Sequence, residues 1–207
     1  MFKSIRMDLA TVDTDGIFDG ITGAGPWDSD DFNVGNPPDG LAHQLNFTSG
    51  DNLSAITATV VGTDADDNVI SEDVTLPNIT TVESAKYFKT VTDISVDATL
   101  GANTLDVGWV DEAVSETIEL DQGKASYWQL DVTGTLSIDT DWSLKPKNFD
   151  RKPHPWVDGS GVAAGLDAET ADSTAVVAVA AGYSTMRFRL NSYSTGAEFT
   201  AYMTQPD

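Results

Sequence analysis

The chain has 207 residues, enough for one large β domain or two small ones, and carries 11 Lys and Arg against 33 Asp and Glu, a formal net charge of -22. That balance repels nucleic-acid phosphates and anionic lipid, and the absence of Cys removes disulfides, thiolate metal ligands and cysteine nucleophiles. Five Trp, five Tyr and eight Phe, with hydrophobic residues at 40%, argue for packed cores rather than an acidic disordered chain.

The opening MFKSIRMDLATVDTDG holds no apolar run of signal-peptide length, and no stretch approaches a membrane span, so synthesis without classical export is expected. Residues 11–40 are dominated by Asp, Gly, Pro and Asn and predict an extended N-terminal arm with long loops over 1–40. Phe18, Trp27 and Phe32 stand out there. They tuck onto the chain's own core or anchor it on a partner, the first having the stronger prior.

From Leu41 the pattern alternates. LAHQLNFTS puts Leu41, His43, Leu45 and Phe47 on one strand face, and Ile56, Ala58 and Val60 follow in SAITATVVGT. VISEDVTL, TTVESAKYFKTVTDISVDA and NTLDVGWV continue the style, rich in β-branched and aromatic residues and broken at intervals by turn formers. ESAKYF is the one segment with helical character. An acid-rich stretch over 112–122 marks a boundary. Beyond it ETIELDQGKASYWQLDVTGTLSIDTDWSL predicts further strands, and a Pro/Gly-rich insertion occupies 145–172. In STMRFRLNSY, Met186, Phe188 and Leu190 point one way and Arg187, Arg189 and Asn191 the other, before a hairpin turn at Ser194, Thr195 and Gly196. The expected fold is therefore all-β: an arm over 1–40, a β-sandwich module (jelly-roll or Ig-like) over 41–117 and a second over 118–207.

The chemistry is thin. GTDADDNVISE sets Asp64, Asp66 and Asn68 at the first, third and fifth positions of a calcium loop. Val69 occupies the place of the required Gly, however, and Thr75 that of the closing Glu. A hairpin turn is favoured, since Asp and Asn bond to their own turns. Asp158-Gly159-Ser160-Gly161 lacks the spacing of a nucleophile elbow. His43 lies on an apolar strand face as a satisfied core histidine, while His154 sits between two prolines, and no zinc spacing joins them. No catalytic residue, metal or cofactor is expected. The three N-x-S/T triplets at Asn46, Asn52 and Asn78 are read as chance.

Lys145, Lys147, Arg151 and Lys152, interleaved with Phe149 and Trp156, form the one basic concentration in an acidic chain. It is either a solvated loop or a projection that docks on an acidic partner. With Trp27 and Phe32, these residues are the candidate partner contacts. The Trp residues also leave open a carbohydrate-binding module.

The run ATVVGTDADDNVISEDVTLPNITTVESAKYFKTVTDISV, followed by MRFRLNSYSTGAEFTAYMTQ, resembles a family of small structural proteins of tailed bacteriophages. The matching residues are Gly62, Thr63, Asp64, Asn68, Ile70, Ser71, Glu72, those at 87–92, and Arg187 or Arg189 with Ser192, Tyr193 and Gly196. The likeness spans roughly 41–205, and the first forty residues and the 145–160 insertion depart from it. It implies a virion component without catalysis, made in the host cytoplasm: a capsid decoration or cement protein, or alternatively a tail, collar or fibre subunit. The implied partners are the major capsid protein, other virion proteins and further copies of the chain, not nucleic acid or membrane.

Overall fold

The computed structural model describes residues 2–120, 125–143, 157–158, 173–178 and 185–205. They form strands and connecting turns, with no helix among the described residues: β1 (Phe2–Asp8), β2 (Asp13–Gly23), β3 (Trp27–Asp28), β4 (Ala42–Asn52), β5 (Thr57–Thr63), β6 (Val69–Thr75), β7 (Asn78–Phe88), β8 (Thr90–Val96), β9 (Gly101–Val114), β10 (Ile118–Glu119), β11 (Ala125–Thr133), β12 (Leu136–Ser143), β13 (Val157–Asp158), β14 (Ser173–Ala178), β15 (Thr185–Tyr193) and β16 (Glu198–Thr204). The all-β expectation holds, and the strand pairs given by register are antiparallel.

The chain divides into two compact units that are not consecutive. Ala10–Ala113 forms an inserted unit, and Met1–Leu9 together with Val114–Asp207 forms a flanking unit. This division differs from the expected arm over 1–40 and second module from 118. Instead, β1 belongs to the flanking unit, where it pairs with β16 from Phe2↔Thr204 to Asp8↔Glu198. β2 and β3 belong to the inserted unit, paired with β9 and β8. The Asp- and Gly-rich composition misled because it reflects irregular pairing in β2, not a lack of strands.

In the inserted unit one sheet runs β9-β4-β7 with β2 along β9, and a second runs β3-β8-β5-β6. Between them lies a core that includes Phe18, Leu45, Phe47, Val60, Phe88, Ile94, Leu105, Val107 and Trp109. Strict alternation builds it. In β5, Ala58, Val60 and Gly62 are buried while the Thr residues between and beyond are half-exposed. Two close approaches demand glycine. A Cβ on Gly62 would strike the Thr90 carbonyl oxygen, and one on Gly108 would strike the carbonyl oxygen of Asp13.

The flanking unit has the sheet β1-β16-β11-β14 and a second in which β12 lies between β13 and β15, with β10 also on β15. The predicted faces of β15 are as drawn: Met186, Phe188 and Leu190 are buried, while Arg187, Arg189 and Asn191 are half-buried on the other side. Phe188 meets Phe199 of β16 edge-on, with centroids 5.5 Å apart, so the rings join the two sheets. The hairpin turn at residues 194–196 is formed, with the Ala197 N–H donating to Ser194 O at 3.0 Å.

Candidate functional site: the pinned acidic hairpin and its surroundings

The loop of residues 64–68 joins β5 to β6 and closes on itself. The Asp64 N–H donates to Asn68 O at 2.9 Å and the Asp67 N–H to Asp64 O at 3.1 Å. Asp64 Oδ1 accepts the backbone N–H groups of Asp66 and Asn68, each at 2.9 Å, and the Asn68 side-chain amide reaches both carboxylate oxygens. The expected hairpin turn is therefore what forms: the first Asp of the would-be calcium loop is engaged by the turn's own donors. Asp67 takes a left-handed conformation (φ 61) and pairs with Lys89 at 2.8 Å.

The hairpin is fastened to the start of β8. The Lys89 N–H donates to Thr63 O at 2.8 Å, Thr63 and Thr90 share a hydroxyl hydrogen bond of 2.7 Å, and Gly62 lets the Thr90 carbonyl in. One strand away, Glu72 on β6 accepts the N–H of Ala85 at 2.7 Å with one oxygen and that of Lys86 at 2.8 Å with the other. Lys86 Nζ donates in return to Ser71 O. Those two N–H groups are free because the β4 to β7 ladder shifts register between Gln44 and Asn46. Ser84 completes the repair, its Oγ accepting from the Leu45 N–H at 2.9 Å and donating to Lys86 O at 2.7 Å. ESAKYF, the segment with helical character, is thus part of a strand with a bulge. Of the residues that carry the resemblance, Gly62 and Thr63 meet Thr90 beside this hairpin and Asp64 and Asn68 bond within it, whereas Arg187, Arg189, Ser192, Tyr193 and Gly196 lie in the flanking unit.

His43 is the core histidine that the sequence indicated, fully buried. Its Nδ1 lies 2.9 Å from Val110 O, and its Nε2 lies 3.0 and 3.1 Å from the carboxylate oxygens of Asp39. Burial pushes the Asp39 carboxyl up, but the hydrogen bond and charge of His43 and the N–H groups of Ala10 and Leu41 outweigh it and hold the group below the usual range. Asp39 is therefore ionised at neutral pH and accepts. Both ring nitrogens face acceptors, and both contacts are hydrogen bonds when each nitrogen carries a proton. Sequence reading missed Asp39, although its place four residues before His43 was the available signal.

Other acids hold backbone too. Asp106 accepts the Gly20 N–H at 2.7 Å where β2 breaks register with β9. In the flanking unit the acids of IDTDW meet Arg instead. Asp141 pairs with Arg187 at 3.0 Å and Asp139 with Arg189 at 2.8 Å, each directly across the β12 to β15 ladder. Asp139 and Asp141 are buried, and Asn191 donates to Asp139 at 2.9 Å.

The candidate contacts fall into two groups. Trp27 and Phe32 are half-buried, packed edge-on against Phe18 with centroids 5.9 and 4.9 Å away. The backbone beside Phe32 is tied down as the Asn33 and Val34 N–H groups donate to Ile17 O and Gly16 O. Lys145, Lys147, Phe149, Arg151, Lys152 and Trp156 lie outside the described residues, as do His154 and Ser160. Trp109 is a core residue whose indole N–H donates to Thr11 O at 3.0 Å. Asn46 of the first N-x-S/T triplet is buried, whereas Asn52 and Asn78 are exposed partners across β4 and β7. Among the described residues no three His, Asp or Glu side chains are grouped to hold a metal ion.

Comparison with protein-family models, with curated proteins and with solved structures returns no match.

Proposed function

We propose that the chain is a non-catalytic structural component of a tailed-bacteriophage virion, a decoration or cement protein that stabilises the capsid shell through contacts with the major capsid protein. Its two units are, on this reading, β-sandwich modules of jelly-roll or Ig-like type. One observation carries the proposal: the residues that bear the family resemblance are engaged in holding shape. Asp64 closes its own turn, Glu72 caps displaced backbone donors, and Thr63 and Thr90 fasten the hairpin to β8. Carboxylates so engaged make a rigid, acidic surface, which suits a protein that must stay soluble alone and then bind many equivalent places on a lattice.

The test is a phage stock made without this chain. Shells are expected to assemble and package, but to rupture at lower temperature or lower salt than complete particles, with resistance restored by adding the purified protein. Unaltered shells with lost adsorption to host cells assign the chain to tail, collar or fibre instead. Specific glycan binding that vanishes in Trp27→Ala, in a chain that still melts cooperatively, replaces the virion reading with a carbohydrate-binding one.

A further inference from the structure

We infer that β1 is an exchangeable strand through which two copies of this chain pair, β1 of one copy lying along β16 of the other. This does not rest on the virion reading. The grounds lie in topology. β1 belongs to the flanking unit, yet all of Ala10–Ala113 stands between it and the unit's other strands. It is the edge strand of its sheet, and β16 is its neighbour there. That seat is specific. The pairing runs from Phe2↔Thr204 to Asp8↔Glu198 without a bulge and is extended by the Leu9 N–H donating to Ala197 O at 3.2 Å. Met7 is buried, and Arg6 reaches Glu198 at 3.2 Å.

A second copy offers the same strand to the same edge, so each of these pairings with β16 forms equally well between copies. What favours the intramolecular form is effective concentration, so a high protein concentration shifts the balance toward exchange. The junction is also abrupt. The Leu9 N–H is bonded within the flanking unit and the Ala10 N–H to Asp39 within the inserted unit, leaving no slack residue between them. An emptied β16 edge would expose a row of unpaired backbone groups, and a neighbour's β1 is the segment whose register and side chains already fit it.

The chain has no Cys, so engineered thiols report cleanly. Arg6 and Thr200 are direct cross-strand partners, and opposed residues of an antiparallel pair lie about 4.5–5.5 Å apart at Cα, within disulfide reach. An affinity-tagged R6C chain is refolded together with an untagged T200C chain at high concentration and then oxidised. The expected result is a disulfide-linked heterodimer several-fold above that from R6C refolded with D66C, whose thiol sits at the exposed hairpin tip. The double variant R6C/T200C closes its bond within one chain when dilute, which establishes that the fold and the pairing survive both substitutions. A heterodimer no more abundant than the D66C control, with the double variant closing normally, overturns the inference. Adding M7D to the tagged R6C chain is expected to bring the heterodimer down to the control level. An undiminished yield means the cross-link does not report β1 docking, and overturns it too.

Discussion

The two units draw on the same acidic composition and put their carboxylates to different uses. In the inserted unit two ladders are repeatedly broken. β2 and β9 shift register at three places and β4 and β7 at two. Side-chain oxygens fill the gaps: Asp106 for Gly20, Ser84 for Leu45, Ser49 for Asp51, and Glu72 for Ala85 and Lys86. In the flanking unit β16 pairs with β1 on one side and β11 on the other with no shift, and β12 with β15 shifts once. There buried Asp139 and Asp141 take Arg partners, while hydroxyls rather than carboxylates serve the backbone, Ser115 for Phe188 and Ser194 for Thr135. The inserted unit thus sets carboxylates against backbone donors displaced by repeated register shifts, and the flanking unit sets two of them against Arg across one ladder. An acidic sequence can therefore serve two structural ends.

The contrast can be broken most severely at the crossing of β2 over β9. Gly108→Val forces a side chain into the Asp13 carbonyl, and a loss of about 3 kcal/mol or more is expected in the inserted unit. Denaturant unfolding followed by hydrogen exchange should show inserted-unit amides losing protection before those of β11 and β16. In the flanking unit, Asp141→Ala leaves Arg187 without its carboxylate. The cost should be about 2–3 kcal/mol, below that of a fully buried pair because the Arg187 side chain is 18% exposed. The amides of β12 and β15 should lose protection while those of β5 keep theirs; equal loss in both units would collapse the distinction.

A smaller effect depends on pH. The folded Asp39 carboxyl titrates below its ordinary value near 3.8, so its stabilising contribution is fully present above that value and is lost as pH falls through the lower folded value. Melting temperature followed through that acid range should fall more steeply for the wild type than for Asp39→Asn, with the difference confined to the inserted unit. The mildest test is Glu72→Ala, which strands two backbone N–H groups at a largely exposed place and should cost about 1–2 kcal/mol. Ala85 and Lys86 amides should exchange faster without any change in the β15 amides. Calcium should raise the melting temperature of neither the wild type nor Asp64→Ala, because Asp64 Oδ1 already accepts the turn's N–H groups. A rise abolished by Asp64→Ala would reinstate the metal loop.

Local patterns were readable and distant ones were not. The faces of β15, the turn at residues 194–196, the hairpin at 64–68 and the burial of His43 each follow from residues within a few positions of one another. Period-two alternation and turn chemistry act over that range. The membership of β1 in the flanking unit depends on a partner strand at the other end of the sequence, and nothing in FKSIRMD announces it. β2 hid for another reason: its Asp and Gly residues, which read as loop, are what a strand with repeated register breaks requires. In the pinned hairpin the Asp turn was legible and the Glu72 clamp was not, since the clamp exists only because β7 bulges opposite β4.

The split of the flanking unit around Ala10–Ala113 also orders events during synthesis. β1 leaves the ribosome before every other element described, yet the strand it pairs with leaves after them all. The inserted unit, with its own core, is complete well before then, since domains form as units during translation. Between the completion of the inserted unit and the arrival of β16, that unit is tethered between an unpaired β1 and a growing chain. Closure of the flanking unit waits on β16, so a premature stop ahead of it should release a chain whose inserted unit is folded and whose flanking unit lacks the strand that seats β1.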